Sequence, residues 1–140
     1  MVRRMTEVPG EEALWLLAGV PGGRVVVVRR GQAVVRPGAH VLEYGRLVVR
    51  APVALAVVAA AGRAAYHVDH VDSPTRSGWS VTVDGPVEVV GDPHEAAHYR
   101  RTLLGWAHGP HDAVLRINPE AVQGFRLDDA ADPRAGGGGA

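Results

Sequence analysis

The stretch Thr75–Gly85, which reads TRSGWSVTVDG, is the most distinctive segment of the 140-residue chain. Its valines, threonine and tryptophan favour extended backbone, so we predict a strand from Ser77 to Val83. A second strand is predicted over Gly85–Val90, with Asp84-Gly85 forming a turn or a bulge between the two. This part of the chain therefore indicates a protein built mainly from short β-strands.

Valine-rich segments on the N-terminal side of this stretch predict five more short strands, separated by glycine, proline and aspartate. Short strands joined by tight turns are typical of an antiparallel barrel or sandwich. The five segments are Arg24–Arg29, Gln32–Arg36, His40–Leu42, Arg46–Arg50 and Ala64–Val71.

Three short helices are predicted to interrupt the strands. Gly10–Ala18 begins with acidic residues and has apolar residues at helical spacing, and Gly19 ends it. The alanine content of Val53–Ala61 favours a helix over a strand. Asp92-Pro93 supplies a capping residue and a first-turn proline for a helix that reaches Leu104.

The C-terminal part of the chain predicts two further strands, Ala113–Ile117 and Ala121–Leu127. The sequence then becomes polar and finally glycine-rich. We therefore predict one folded domain over residues 1–127 and a disordered tail over residues 128–140. A single hydrophobic core is expected for a chain of this length with 46% apolar residues.

Composition excludes several kinds of chemistry. The chain has no cysteine, which excludes disulfides, thiolate metal sites and a cysteine nucleophile. All fifteen basic residues are arginine, so a lysine Schiff base is excluded as well. The net charge is zero, and nucleic acid is therefore not an expected partner. Since no segment reads as a membrane span or a signal peptide, we expect a cytoplasmic protein with no membrane partner.

The order of these elements and several motifs resemble one known family. Thr75–Gly85 is very similar to the Arg-Thr-Gly-Trp-Ser-Val-x-Val-x-Gly signature of actinobacterial members of the pyridoxamine 5′-phosphate oxidase-like, flavin-binding split-barrel family. Gly23-Arg24-Val25 at the first strand also matches, as does Trp106 followed ten residues later by Arg116. The resemblance extends over about residues 7 to 127.

This resemblance implies a fold, a partner and an activity. The fold would be mainly β, a six-stranded antiparallel split β-barrel with Greek-key topology and short helices. Two subunits would form a homodimer, with flavin mononucleotide (FMN) or a deazaflavin in each of two clefts between them. The implied function is a flavin-dependent oxidoreductase acting on a small-molecule substrate, in which the flavin ring transfers the hydride or electron.

The resemblance also implies six cofactor-binding residues but no catalytic residue and no metal. Trp79 and Ser80 would lie beside the flavin ring, and Trp106 and Arg116 would close the cleft. His40 is a further candidate for ring contact, and Arg50 opens the phosphate-binding segment.

The phosphate-binding segment departs from the family pattern, because Ala54-Leu55 stands where the family has Ser-Lys. Each lost charge-assisted hydrogen bond is worth roughly 1.5–3 kcal/mol, so two losses would weaken flavin binding about a hundredfold or more. The alternative is a split barrel without flavin that uses the cleft for another ligand or a cofactor-free reaction, with His40, His67 and Trp106 in its walls. Oxidation of pyridoxamine phosphate is not expected, because the chain has no lysine for a phosphorylated substrate.

A third interpretation comes from His94-Glu95-Ala96-Ala97-His98, which matches the His-Glu-x-x-His pattern of zinc hydrolases. The longer forms of that pattern need a glycine and a third histidine, but Arg101 and Leu104 stand there, so we prefer an exposed helix face. His67 and Asp69 alternate on one face of a strand, and His70 and Asp72 alternate on the other. These pairs could form a metal site or an acid–base pair, but a solvated or hydrogen-bonded histidine is the preferred interpretation.

Overall fold

The structure, a computed structural model, describes residues 2–106 and 109–130, with the backbone alone at residues 2, 129 and 130. This part of the chain forms eight strands and three helices. In chain order they are β1 (Val2–Val8), α1 (Gly10–Ala18), β2 (Gly22–Arg29), β3 (Gln32–Glu43), β4 (Arg46–Ala51), α2 (Leu55–Ala61), β5 (Arg63–Val71), β6 (Gly78–Val89), α3 (Pro93–Thr102), β7 (Ala113–Ile117) and β8 (Ala121–Ala130).

Six of the strands form a closed antiparallel barrel in the order β6-β5-β2-β3-β4-β7, which closes where β7 pairs with the second half of β6. Strands β2, β3 and β4 follow one another as a meander, and β5 returns to lie beside β2, as in a Greek key. The predicted six-stranded split β-barrel is therefore confirmed. Strand β8 pairs with the first half of β6, and β1 pairs with β8.

A bend at Gly85 lets β6 pair with β8 first and with β7 afterwards. A Cβ atom on this glycine would overlap the backbone oxygen of Asn118, so only glycine fits. The sequence predicted two strands here, but the structure has one, because β5 pairs with β6 on both sides of the bend, from Val71↔Gly78 to Arg63↔Pro86. Likewise, Gln32–Glu43 is one strand where two were predicted.

Strand β1 was not predicted, and it moves the C-terminal boundary of the fold. Val2 lies opposite Ala130, so the pairing with β1 carries β8 three residues beyond the predicted boundary at residue 127. The start of the predicted disordered tail, residues 128–130, is therefore strand. The remainder, residues 131–140, lies outside the described residues.

The three predicted helices are present and cover different parts of the barrel. Helix α1 packs Ala13, Leu16 and Leu17 onto the main core, and α2 packs Val58 onto it. Helix α3 lies outside the barrel, where Tyr99 and other side chains pack on β3, β4 and β7 as a second core. Among the described residues, no helix has the length and apolarity to cross a membrane.

A region on the outside of the barrel, away from the second core, carries exposed apolar side chains. We call this region the open face and define it by Val26, Val28, Val35 and Ala65, on β2, β3 and β5. Val28 is 60% exposed and Val35 is 46% exposed. Strand register places Val26 opposite both Val35 and Ala65, so these side chains form one continuous patch.

Candidate functional site

Arg50, the predicted phosphate contact, is engaged by the chain itself. Its Nε and Nη2 donate to the two carboxylate oxygens of Asp112, at 2.9 and 2.8 Å. Its Nη1 donates to the main-chain oxygens of Arg100 and Leu103 at the C-terminal end of α3, at 2.9 and 2.8 Å. The hydrogen bonds from Arg50 hold the pKa of the Asp112 carboxyl below its ordinary value. Arg50 therefore fastens α3 to β4.

Arg116, which was predicted to close the flavin cleft, holds the other end of α3. Its Nη2 donates to Glu95 in the first turn of the helix, and its Nη1 donates to Glu88 of β6 at 3.4 Å. The side chain is only 12% exposed, and the hydrogen bond to Glu95 raises the pKa of Arg116. Both terminal nitrogens of this guanidinium are therefore engaged by carboxylates of the chain itself.

The His-Glu-x-x-His pattern lies on the exposed side of α3. The backbone N–H of His94 donates to Asp92, which caps the helix, and Glu95 is bound by Arg116. A glutamate held by an arginine is not free to activate water. Within residues 2–106 and 109–130, no three His, Asp or Glu side chains are close enough together to hold a metal ion.

His40, the further candidate for ring contact, is buried between α1 and the barrel. Its Nε2 lies 2.9 Å from the main-chain oxygen of Leu17, and its Nδ1 lies 2.7 Å from the hydroxyl of Tyr66. The main-chain oxygen of Gly38 lies 3.1 Å from the same hydroxyl and competes as an acceptor for its single proton. Both ring nitrogens are therefore occupied within the chain, which leaves neither free for a ligand.

Hydrogen-bond geometry determines the tautomer of His40. Because the Leu17 oxygen can only accept, Nε2 carries a proton. In the neutral ring, Nδ1 accepts the single proton of the Tyr66 hydroxyl, at a shorter contact than the one between that hydroxyl and Gly38. Burial lowers the pKa of His40, although its backbone hydrogen bond opposes the shift. Burial also raises the pKa of Tyr66. Burial thus favours the neutral ring in the folded protein.

Trp79, predicted to lie beside the ring, lines a groove of about 500 Å³ at the α1 end of the barrel. Its ring stacks on His70, with centroids 5.8 Å apart and planes 28° apart. Trp15 on α1 is 73% exposed and lies in the same groove. We call this the aromatic groove, lined by Trp15, Leu16, Val20, His70 and Trp79.

A smaller polar hollow, of about 130 Å³, lies on the outward face of β2 and β5, whereas Trp79 packs into the main core on the inward face. His67 and Asp69 line it from β5, and Arg24 lines it from β2. Ser80 is the cross-strand neighbour of Asp69, which brings a second predicted site residue to this region. We call it the polar hollow, lined by Gly22, Gly23, Arg24, His67 and Asp69.

A third hollow, of about 320 Å³, lies at the ends of β1 and β8. Its floor is apolar, and arginines from β1 and from the β5–β6 turn stand around it. We call it the arginine hollow, lined by Arg3, Arg4, Met5, Val71, Arg76 and Leu127, together with Asp128.

The six predicted contacts do not meet in one place within a single chain. Trp106 is 42% exposed in the segment after α3, where the preceding Gly105 packs so close to Arg50 that a side chain would overlap it. This residue therefore lies with the two engaged arginines on the α3 side. Trp79 and Ser80 lie at the aromatic groove and the polar hollow, and His40 is inside the protein.

Trp15, His70 and Arg24 line these hollows but were not among the six predicted cofactor contacts. Trp15 and His70 come from different elements, and only the packing of α1 on the barrel brings them together. Arg24 meets His67 through the pairing of β2 with β5, two strands that are distant in sequence. The sequence signals were the alternation of His67 with Asp69 on one face of the strand and of His70 with Asp72 on the other.

We predict that the free energy of unfolding falls as the pH is lowered from 7 to 5.5, because of His40. The unfolded histidine titrates near pH 6.5 and the folded one below it, so the unfolded chain binds more protons in this range. The loss should reach at most about 1.4 kcal/mol per pH unit.

Urea unfolding at each pH measures this loss of free energy. His40→Gln should flatten the slope, whereas the exposed control His94→Gln should keep it; equal slopes in wild type and His40→Gln would refute the assignment.

Comparison with known proteins agrees with this fold. A family model described as pyridoxamine 5′-phosphate oxidase matches residues 9–126. The uncharacterised protein Rv0080 of Mycobacterium tuberculosis is 39% identical over 139 residues, covering 94% of this chain and 90% of that protein. An FAD-binding protein of Mycobacterium smegmatis has a similar structure, with TM-score 0.67, 25% identity and coverage of 89% and 100% of the two chains. An FAD-binding protein of Mesorhizobium loti also has a similar fold, with TM-score 0.69, 19% identity and coverage of 91% of this chain and 99% of that one. The chain belongs to the pyridoxamine 5′-phosphate oxidase family.

Proposed function

We propose that this protein binds a flavin in the aromatic groove and acts as a flavin-dependent oxidoreductase on a small molecule. The observation that carries the proposal is the pair of stacked rings, His70 and Trp79, in one wall of the groove, with the exposed Trp15 beside them. Aromatic side chains bind flat heteroaromatic rings by stacking.

The residues of the groove fit the ring of a flavin. Leu16 and Val20 give the groove apolar lining, and the His70 ring supplies polar nitrogen atoms in its wall. Apolar walls with a few convergent polar groups are the usual composition of a small-molecule site. The volume of about 500 Å³ is also in the range of such sites.

The residues that the family resemblance implied for binding the FMN phosphate are not available for it. Arg50 and Arg116 are bound to acidic partners, and Ala54-Leu55 supplies no cation. The arginine hollow, with Arg76 in its rim, offers cations elsewhere on the surface. FMN, FAD and riboflavin therefore all belong in the test.

Relatives support the flavin. The Mycobacterium smegmatis protein, 25% identical to this chain, is described as FAD-binding. A bound flavin would supply hydride or electron transfer, and the groove residues would bind and orient its ring. Family membership does not determine the substrate, and we still expect no oxidation of pyridoxamine phosphate because the chain has no lysine. A cytoplasmic location likewise stays a prediction.

A second candidate is a flavin-free barrel that binds another flat ligand in the same groove. The observation that favours it is the engagement of Arg50 by Asp112, Arg100 and Leu103, which removes the implied phosphate contact. Of the walls suggested for such a cleft from the sequence, His40 has both nitrogens occupied, and Trp106 lies on the α3 side. In this candidate, the ligand would therefore bind in the aromatic groove and not in a cleft walled by His40 and Trp106.

We predict that the purified protein binds flavin with micromolar affinity or better, so that its tryptophan fluorescence is quenched saturably. The measurement is an absorbance spectrum followed by titration with FMN, FAD, riboflavin and a deazaflavin. Trp15→Ala should weaken binding about tenfold, since it removes one stacking surface. Trp15 is 73% exposed, so its loss should not unfold the protein.

Trp106→Ala is the matched control, because Trp106 is also exposed but lies outside the groove. It should leave the affinity unchanged. A loss of affinity in Trp106→Ala but not in Trp15→Ala would place the ligand on the α3 side and contradict the proposal. A colourless protein that binds none of the four compounds would favour the flavin-free candidate.

We also propose that the protein is a homodimer in which a second copy covers the open face. Val28 and Val35 expose apolar surface there, and burying such surface stabilises an interface. Arg63 and Asp84 stand beside Val26 and Ala65 around a shallow hollow. Charges of both signs next to one apolar patch suit a twofold interface, in which a patch meets its own copy.

We predict that Val28→Glu converts the protein from dimer to monomer, because it would bury an unpaired charge in the interface. Size-exclusion chromatography with light scattering should give twice the chain mass for wild type and the chain mass for the variant. Leu104→Glu is the control, since Leu104 is 79% exposed on the α3 side, and it should remain dimeric. A monomeric wild type, or a dimeric Val28→Glu variant, would contradict the proposed interface.

A further inference from the structure

A hollow of about 280 Å³ lies between the end of β2 and one face of α2. We call it the α2 hollow, and Val28, Arg29 and Arg30 line its β2 side. We propose that this hollow binds a small organic anion with an unbranched apolar chain, namely a medium-chain carboxylate. The inference goes beyond the flavin proposal, because the α2 hollow and the aromatic groove have no lining residue in common.

The α2 side of the hollow is apolar. It is formed by Ala56 and Ala60, one helical turn apart, and by the pair Val57 and Ala61, which has the same spacing. The whole helix reads LAVVAAA and carries no polar side chain. Ala56 and Ala60 are exposed, and their short side chains leave room for a ligand chain. A chain lying here would remove apolar surface from water, which favours binding.

Two guanidinium groups stand on the other side of the hollow. Arg29 is the last residue of β2 and pairs with Gln32 of β3. Arg30 and Gly31 form the two-residue turn between the strands, with φ of +50° and +77°, as in a type I′ turn. Because the hairpin fixes the backbone of both arginines, their side chains start from neighbouring points at the same end of β2.

Arg29 and Arg30 have no acidic partner in the described part of the chain. No Asp or Glu lines the α2 hollow. Other arginines form the ion pairs found within residues 2–106 and 109–130, namely Arg50, Arg63, Arg100, Arg116 and Arg126. Two neighbouring cations without a counter-ion attract an anion, and a guanidinium group can donate two parallel hydrogen bonds to one carboxylate.

A ligand that satisfies both sides of the hollow must be amphipathic. An inorganic anion would contact the arginines but leave the apolar side of the hollow exposed. An uncharged chain would cover α2 but form no charge-assisted hydrogen bond. A carboxylate on a short chain does both, and a volume of about 280 Å³ is at the small end of ligand sites.

Calorimetric titration of the full chain with octanoate tests the proposal, with octan-1-ol and acetate as comparison ligands. Octanoate should bind saturably. Octan-1-ol should bind at least about tenfold more weakly, because it has lost the charge, and so should acetate, because it has lost the chain. Added salt should weaken the binding of octanoate but not that of octan-1-ol.

Variants on both sides of the hollow locate the ligand. Arg30→Gln should weaken octanoate binding about tenfold, because it removes a charge-assisted hydrogen bond. Ala60→Glu should abolish saturable binding, because it places a carboxylate in the apolar side. Ala59→Glu is its matched control, since Ala59 is an exposed neighbour on α2 that lies outside the hollow, and it should keep most of the affinity. Arg36 is an exposed arginine on β3 outside the hollow, so Arg36→Gln is the control for Arg30→Gln and should leave the affinity unchanged.

Light scattering on each variant accompanies the titrations, because Val28 belongs both to the α2 hollow and to the open face. Loss of octanoate binding at the wild-type mass supports the inference, whereas loss only where the mass has changed would assign the effect to the interface and overturn it. Absence of saturable octanoate binding to wild type, equal binding of octan-1-ol, or equal losses in Ala59→Glu and Ala60→Glu would also overturn it. Co-sedimentation with phosphatidylglycerol vesicles without binding of octanoate would overturn it in favour of a membrane surface. In each of these cases the flavin proposal would stand.

Discussion

The position of α3 depends on the guanidinium groups of Arg50 and Arg116, which are largely buried. Their contacts also decide whether these two cations are available to a ligand. Arg50 binds the Asp112 carboxylate and the carbonyls that end the helix, while Arg116 binds Glu95 in its first turn. Arginine suits this role because its planar group donates in several fixed directions. With both ends held, Tyr99 and its neighbours pack on the barrel as a second core, and one side of the barrel is covered.

The same contacts occupy Arg50 and Arg116, the two cations that the family resemblance implied for a ligand. A flavin phosphate would have to displace Asp112 from Arg50, although Ala54-Leu55 offers no replacement. In the proposed function, recognition therefore falls to the flavin ring, through stacking on Trp79, His70 and Trp15. His40 and Tyr66 have a structural role, because their buried hydrogen bonds join α1 to the barrel.

Local signals in the sequence predicted most of the fold but little of the site. Valine-rich segments and the Asp92-Pro93 cap predicted strands and helices near their observed bounds, and the Thr75–Gly85 signature predicted the family. Strand β1 escaped notice because only its pairing with β8 makes it a strand. The arginines were assigned to a ligand because sequence cannot show that Glu95 and Asp112, far away along the chain, reach them first.

The most direct measurement is a crystal structure of the protein with bound riboflavin. The ring should lie in the aromatic groove against Trp15 and the His70–Trp79 pair, with Arg50 still bound to Asp112. A ring found instead on the α3 side, between Trp106 and an Arg50 released from Asp112, would contradict it.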